Sequence, residues 1–519
     1  MNRPIRKVAL TLGVLLAALF VNLNFVQVIE GNFYRNHTGN SRVLLTEYSS
    51  PRGAIVVQGT DVAKSVSTSD ELKYLRVYPQ GPVYAPVTGF NSFVYGTTGL
   101  EDAENNVLSG NDSRQFGQQL ADLFTGRNPR GGSVDLTLNS AAQQAAYAAM
   151  KGADGQLRHG AVVAIDPSTG AILAAVSTPS YDPNKLSSHD ASSIESYYTS
   201  LLPKKDPADP MLNRAFDQTY APGSVFKVIV SAAALNAGVT ATQQIPAPNG
   251  YWPFHDHTGA CPADPTSSCV QNFNGETCDN GTTAQLQFAF AKSCNTAFAA
   301  LAVDKVGGSA IAKEGALFGF DANQLQVPVG VARSTVGTAA DLADPGTLSR
   351  ASFGQQDVRM TPLQGAMIAA AVANGGTLMK PYLVQQEVGP NLAVLSSTRP
   401  TQLSQVLSAQ LDQQLLLMMV GVVTSPEGTG GSAAITDIPG IVVGGKTGTA
   451  DTGIFVHGVQ TPPHAWFSGF ALVKGTPKIA VAVIIENGGV NGSETTGGLA
   501  AAPVAKAVME AYLKSPGGR

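Results

Sequence analysis

An apolar run from Val8 to Ile29 carries no charge. As a helix its roughly 22 residues extend ~33 Å, enough to cross a bilayer core of ~30 Å. Beyond it the pattern changes. From Gly31 to about Asp154, short β-like runs (Gly53–Val57, Tyr74–Tyr78, Gly132–Leu138) stand apart in Gly/Asn/Ser-rich sequence. Asn139–Met150 then predicts an Ala-rich helix, and a boundary falls near Lys151–Gly155. Gly160–Ile165 and Ala171–Val176 predict two strands joined by the turn Asp166–Gly170. Pro222 and Gly223 open a helical run that buries Val225–Leu235 and ends near Gly238. Two further helical runs, Thr283–Lys292 and Thr296–Val306, meet at Ser293-Cys294-Asn295. Thr361 and Pro362 look like the cap and first residue of a helix reaching Ala373, and Leu403–Val423 reads as another. Strands Ile441–Ala450, Trp466–Val473 and Ile479–Ile485, then a helix over Leu499–Leu513, close an antiparallel α+β arrangement.

A chain of 519 residues is more than one domain at about 150 residues each. Charged residues make up only 13%, and the net charge of -4 with no basic tract beyond the extreme N-terminus argues against a nucleic-acid partner. Arg3, Arg6 and Lys7 precede the apolar run and Glu30 follows it, which puts the N-terminus in the cytoplasm and the rest outside. The expected division is a tail over 1–7, an anchor over 8–29, a pedestal and interaction domain over 30–154, and a larger domain over 155–519. A cleaved signal peptide is the alternative, but the run is long for one and no small-x-small site follows it. Asn22, Asn24 and Gln27 near the outer end fit either a face turned to a partner helix or, better, the membrane interface.

Cys261, Cys269, Cys278 and Cys294 all fall on the outer side, where disulfides persist. Four cysteines allow three connectivities, and the expectation is local pairing, Cys261 with Cys269 and Cys278 with Cys294. His255, Asp256 and His257 beside Cys261 raise the question of a metal, but zinc spacing is absent and none is expected.

The chemistry concentrates in three short segments. Ser224 and Lys227 form the chain's single Ser-x-x-Lys, and residues three apart on a helix share a side. A serine is a weak nucleophile until a base takes its proton, and a desolvated lysine can be that base. Ser293-Cys294-Asn295 presents short polar side chains from between two helices, although Ser and Asn are also ordinary helix caps. Lys446-Thr447-Gly448-Thr449-Ala450 ends a strand in small residues, where a glycine lets a ligand lie against the backbone. Each segment alone is ambiguous. Together, in this order and in these settings, they are not.

This set is that of penicillin-binding proteins and class A β-lactamases. The sequence resembles a class B penicillin-binding protein over nearly its whole length, most closely those of high-GC Gram-positive bacteria. Ser50-Pro-Arg-Gly-Ala-Ile and Thr361-Pro-Leu-Gln are further family-like segments. The resemblance implies a penicillin-binding transpeptidase fold, an antiparallel sheet flanked by helices, after a β-rich pedestal and one transmembrane helix. It implies D,D-transpeptidation of peptidoglycan stem peptides through an acyl-enzyme on Ser224, without a cofactor, and acylation by β-lactams. Lys227 would be the base, Ser293 a proton relay, Asn295 a partner for the substrate amide and Lys446 a source of local field. Thr447, Gly448 and Thr449 would meet the terminal carboxylate, and the N–H groups of Ser224 and Thr449 the oxyanion. The precursor is lipid-linked, and the implied partner is a polytopic glycosyltransferase of the shape, elongation, division and sporulation class.

Four other functions compete. A class A β-lactamase needs a glutamate soon after Ser-x-Asn in a Glu-x-x-x-Asn loop, whereas here the first two are Glu314 and the distant Glu387. A β-lactam-sensing receptor needs an intracellular output domain, and only seven residues precede the anchor. A D,D-carboxypeptidase differs only in passing the acyl group to water. A non-catalytic β-lactam-binding scaffold completes the set.

Overall fold

Strands Gly160–Ile165 and Ile172–Thr178 are buried along their whole length, which is why they are written as unbroken apolar runs. Ala161, Val163 and Ile165 enter one core cluster, and Val162 and Ala164 enter another on the opposite face. The computed structural model describes residues 2–30, 48–115, 117, 124, 129–152, 155–206, 208–258, 261–262, 267–322, 325, 327–456 and 459–518. Its central sheet has five antiparallel strands in the order Ile441–Ala450, His464–Val473, Thr476–Ile485, Gly160–Ile165, Ile172–Thr178. The C-terminal strands therefore pair with strands laid down some 300 positions earlier (Val483 opposite Val162), which fixes the sheet late in the chain. Strand Ile441–Ala450 is left at the edge.

Helix Pro362–Ala373 packs on one face, and all of its residues are buried, as expected of a helix apolar on every side. The Thr361 hydroxyl accepts from the Gln364 N–H at 3.1 Å and so caps it. Helices Ala502–Lys514 and Ser140–Ala149 cover the other face. The latter is capped by Asn139, whose Oδ1 accepts from the Ala142 N–H at 3.0 Å. It thus packs with the sheet that follows it, although it precedes the expected boundary. That boundary, at Asp154, lies outside the described residues.

The pedestal holds a six-stranded mixed sheet, ordered Val394–Ser397, Val384–Val388, Ser133–Leu136, Ile55–Val57, Thr60–Ser67, Tyr74–Val77. Two of its strands come from the C-terminal half of the chain. Inside it, Glu101 receives the Nε–H of Arg52 at 2.5 Å and that of Arg76 at 2.6 Å, with all three side chains buried.

Helix Asn2–Asn24 continues to Ile29 and is long and apolar enough to cross a membrane. The Asn24 amide donates to the Phe20 carbonyl at 2.8 Å, so this polar group is satisfied within its own helix.

Three expected elements differ. Thr283–Gln285 is a strand paired with Gln244–Pro246, and the helix begins only at Leu286. Gln402–Gln405 likewise pairs with Thr377–Met379, and the helix starts at Ala409 behind the Ser408 cap. Ser224 lies in a 3-10 turn, Gly223–Phe226, with the α-helix running from Lys227 to Asn236. In the first two cases cross-strand partners hold residues whose helical pattern is otherwise plausible.

Candidate active site

Two backbones must touch to build this site, and glycines allow it. Gly223 has φ +54°, and a Cβ there would stand 2.6 Å from the Thr449 carbonyl oxygen. A Cβ on Gly448 would stand 2.6 Å from the Pro222 carbonyl oxygen. The serine turn therefore lies directly on the edge strand. The Trp466 Nε1–H donates to the Ala221 carbonyl at 3.0 Å and the Gly223 N–H to the Gly354 carbonyl at 3.0 Å, so the turn is held from both sides.

Lys227 is fully buried. Its Nζ donates to the Ser293 carbonyl at 2.6 Å and to Asn295 Oδ1 at 2.8 Å, and lies 3.2 Å from Ser293 Oγ. Lys446, also fully buried, comes from the edge strand and places its Nζ 2.9 Å from the same Ser293 Oγ. Ser293 caps helix Leu286–Lys292 in a left-handed conformation, φ +68°, uncommon for a residue with a side chain. One hydroxyl thus sits between two amines.

No carboxylate pairs with either amine among the described residues, and burial penalises their charged forms. Burial first, and the charge of Lys446 second, hold the Lys227 amine well below the usual lysine range. Burial brings Lys446 down to about 7. A neutral Lys227 has two N–H groups, which suit the Ser293 carbonyl and Asn295 Oδ1, and a lone pair left over for a hydroxyl.

The remaining expected residues are placed as follows. Ser224 is partly exposed, and its hydroxyl makes no hydrogen bond among the described residues. Asn295 donates from Nδ2 to the Gln271 carbonyl at 3.2 Å. Thr449 is partly exposed on the strand edge, whereas Thr447 is buried with its hydroxyl against that of Thr429. The structure joins Cys261 to Cys269 and Cys278 to Cys294, the local pairing, and the second bridge anchors the middle residue of Ser293-Cys294-Asn295. The surface histidines have other neighbours: His257 stacks on Trp252 and His255 lies 3.2 Å from Asp304. Glu314 bonds Asn236, and Glu387 is in the pedestal sheet paired with Arg114, so neither attends the serine.

Sequence reasoning missed Asn272. Cys294 occupies the N-cap of helix Asn295–Ala300 with its side chain committed to a disulfide, so it cannot cap. Asn272 caps from outside: its Oδ1 accepts from the Thr296 N–H at 3.0 Å and from the Thr296 hydroxyl at 3.2 Å. An asparagine in a polar loop carries no sequence signal for such a role. A cavity of about 770 Å³ lies alongside the site; Asn295 lines it, as do Ala221 and Asp451, which flank the serine turn and the edge strand, but Ser224, Ser293 and Lys446 do not.

A buried Lys–Ser–Lys arrangement beside a serine turn on the edge of an antiparallel sheet defines the class of penicillin-recognising serine enzymes. The penicillin-binding protein transpeptidase domain matches residues 160–510, the dimerisation domain of penicillin-binding protein A matches residues 52–134, and the chain belongs to the penicillin-binding protein transpeptidase family. It is 45% identical over 518 residues to the peptidoglycan D,D-transpeptidase PbpA of Mycolicibacterium smegmatis, covering 99% of both chains. The PbpA of Mycobacterium tuberculosis is 44% identical over 515 residues, again with 99% of each covered. Among solved structures, the ceftriaxone acyl-enzyme of penicillin-binding protein A from M. tuberculosis superposes with a TM-score of 0.82 at 44% identity, over 90% of this chain and 99% of that one. The penicillin G acyl-enzyme of the same protein gives 0.80, over 90% and 100%.

Proposed function

We propose that this chain is a peptidoglycan D,D-transpeptidase that cross-links stem peptides through an acyl-enzyme on Ser224 and is acylated there by β-lactams. The observation that carries this is the Ser293 hydroxyl held between two buried lysines that have no carboxylate partner among the described residues, 3.2 Å from Lys227 and 2.9 Å from Lys446. The near relatives named above, themselves D,D-transpeptidases or β-lactam acyl-enzymes, support it.

In the first half-reaction the Ser224 hydroxyl gives its proton to the Lys227 lone pair as Oγ attacks the carbonyl between two D-alanines. Backbone N–H groups of Ser224 and Thr449 hold the oxyanion, a kind of donor worth ~3 kcal/mol each. Ser293, bridging the two amines, passes a proton to the leaving amine, and the terminal D-alanine departs. Lys446 keeps Lys227 neutral by making a second positive charge costly. Asn295 faces the substrate amide, and Thr449 with Gly448 and Thr447 flanks the carboxylate. In the second half-reaction an amine of a neighbouring stem attacks the ester, and its proton returns Ser224 to the hydroxyl.

The segment 8–29 anchors the chain with residues 1–7 cytoplasmic, the pedestal 30–154 and the catalytic domain 155–519 outside. Glycan polymerisation falls to a polytopic glycosyltransferase of the shape, elongation, division and sporulation class. The test is to incubate the full chain in detergent with a fluorescent penicillin and map the labelled peptide. Label on the peptide containing Ser224, abolished by Ser224→Ala, is expected. Label elsewhere, or persisting in that variant, overturns the assignment.

A further inference from the structure

The side-chain amide of Asn295 has two unlike ends, and the chemistry needs each on its own side. Oδ1 accepts from Lys227 Nζ at 2.8 Å, and Nδ2 donates to the Gln271 carbonyl at 3.2 Å. Only one of these partners can tell the two ends apart. A neutral amine has both N–H groups and a lone pair, so Lys227 could receive either end of the amide. A backbone carbonyl accepts and never donates, so Gln271 admits Nδ2 alone. Turned over, the amide would set its oxygen against the Gln271 oxygen and occupy the lone pair that Ser224 needs.

Gln271 belongs to none of the three motifs. It ends a short strand, Val270–Gln271, paired with Gly250–Tyr251. This hairpin is fastened to helix Asn295–Ala300 at both ends. Towards the far end Tyr251 and Val270 pack on Ala299 and Ala300, and the Tyr251 hydroxyl donates to Asp304 at 2.7 Å. At the near end, where Asn295 stands, the tie is Asn272. Only 8% exposed, it accepts through Oδ1 from the Thr296 N–H at 3.0 Å and the Thr296 hydroxyl at 3.2 Å. Its own Nδ2 donates to the Glu276 carbonyl at 2.9 Å. Two neighbouring pairs therefore lie side by side, Gln271 with Asn295 and Asn272 with Thr296, and the second fixes the first.

We propose that Asn272 is a positioning residue for the acylation step: by tying Gln271 to the first turn of helix Asn295–Ala300, it keeps Nδ2 of Asn295 towards the substrate and Oδ1 on Lys227. Asn272 touches no reacting atom and acts through Asn295 alone. The inference rests on the transpeptidase function, in which Asn295 meets an amide of the acyl donor through its N–H. An Asn295 free to turn over would present oxygen to the donor's carbonyl and would take the Lys227 lone pair part of the time.

The test compares two acylating drugs on the full chain. Penicillin G has a side-chain carbonyl that needs an N–H, whereas imipenem carries there a hydroxyethyl group, which can donate or accept. Asn272→Ala is expected to slow penicillin G about tenfold, the scale of one hydrogen bond, and imipenem less, so that the ratio of the two rates falls about threefold or more. Asn272→Asp keeps an acceptor for Thr296 at a helix N-terminus, where an anion is favoured, and should hold the ratio near that of the wild type. Equal slowing of both drugs overturns the proposal, because Asn272 then supports the fold and nothing finer. An unmoved ratio in Asn272→Ala overturns it, as does a ratio that falls equally far in Asn272→Asp. Should Asn272→Ala fail to label to completion, as an unfolded variant would, Thr296→Val carries the test. It removes only the hydroxyl contact and should move the ratio the same way by a smaller factor; an unmoved ratio there overturns the proposal. If the wild type takes no label at Ser224 from a fluorescent penicillin, the transpeptidase function fails and this inference with it, a result distinct from any change in ratio.

Discussion

In the pedestal, two buried arginines converge on the carboxylate of Glu101; in the cleft, two buried lysines converge on the hydroxyl of Ser293. Burial alone would push the Glu101 carboxyl up, yet Arg76 and Arg52 together hold it below the usual range, so all three groups stay charged. Ser293 offers no charge in return, so burial lowers both lysines, Lys446 to about 7 and Lys227 well below the usual range, the latter also because of the Lys446 charge. The first trio is chemically inert and mechanically fixed. The second holds two amines whose charged forms burial disfavours, Lys227 more than Lys446. The presence or absence of one counter-ion separates a structural cluster from a reactive one.

If that contrast holds, the two clusters fail in opposite ways. Lys227→Met should cut the rate of penicillin acylation by about 10²–10⁴, the range for a lost general base, with the melting temperature kept or raised. Acylation kinetics with thermal unfolding checks both, and a variant of undiminished rate would remove Lys227 from the mechanism. Glu101→Gln should do the reverse. Removing the one anion from two buried cations costs about 3–5 kcal/mol, so unfolding shifts to lower denaturant while the acylation rate of the folded fraction stays unchanged.

The smallest effect is a slope. Lys446 has its folded value near 7 against about 10.4 for an unfolded lysine. Between those values the unfolded chain holds a proton that the folded chain lacks, so this residue makes stability rise with pH, by about 1.4 kcal/mol per unit. Below pH 7 both states are protonated and the contribution is flat. Subtracting Lys446→Met from wild type in urea titrations at pH 7, 8 and 9 isolates the slope. Parallel curves would mean that Lys446 keeps its charge when buried.

Much of this contrast is legible in the residues themselves, because the reactive half is written in three short motifs and the structural half is not. Ser224, Lys227, Ser293, Asn295 and Lys446 are found by spacing, since helix, loop and strand each present a side chain from a fixed local geometry. Arg76 lies in a segment recognisable as β-like and Arg52 just ahead of another, but nothing near Glu101 says that it will meet them 25 and 49 positions back in the chain. Asn272 is hidden for the same reason: its partner Thr296 is 24 residues away, and local periodicity is blind to that distance. Strands Val384–Val388 and Val394–Ser397 show the same limit. They complete a sheet begun more than 300 residues earlier, and their burial alternates too weakly to declare a partner.

The Cys278–Cys294 bridge has a practical consequence for anyone who produces this protein. It closes a loop of sixteen residues, worth about 3 kcal/mol against the open chain, and one of its ends is embedded in the Ser293–Asn295 segment. Material folded in a reducing cytosol, or assayed in buffer containing dithiothreitol, presents two thiols there instead of a tether. Antibiotic potencies measured on such preparations describe a looser receptor than the bridged one, so compounds should be ranked on oxidised protein.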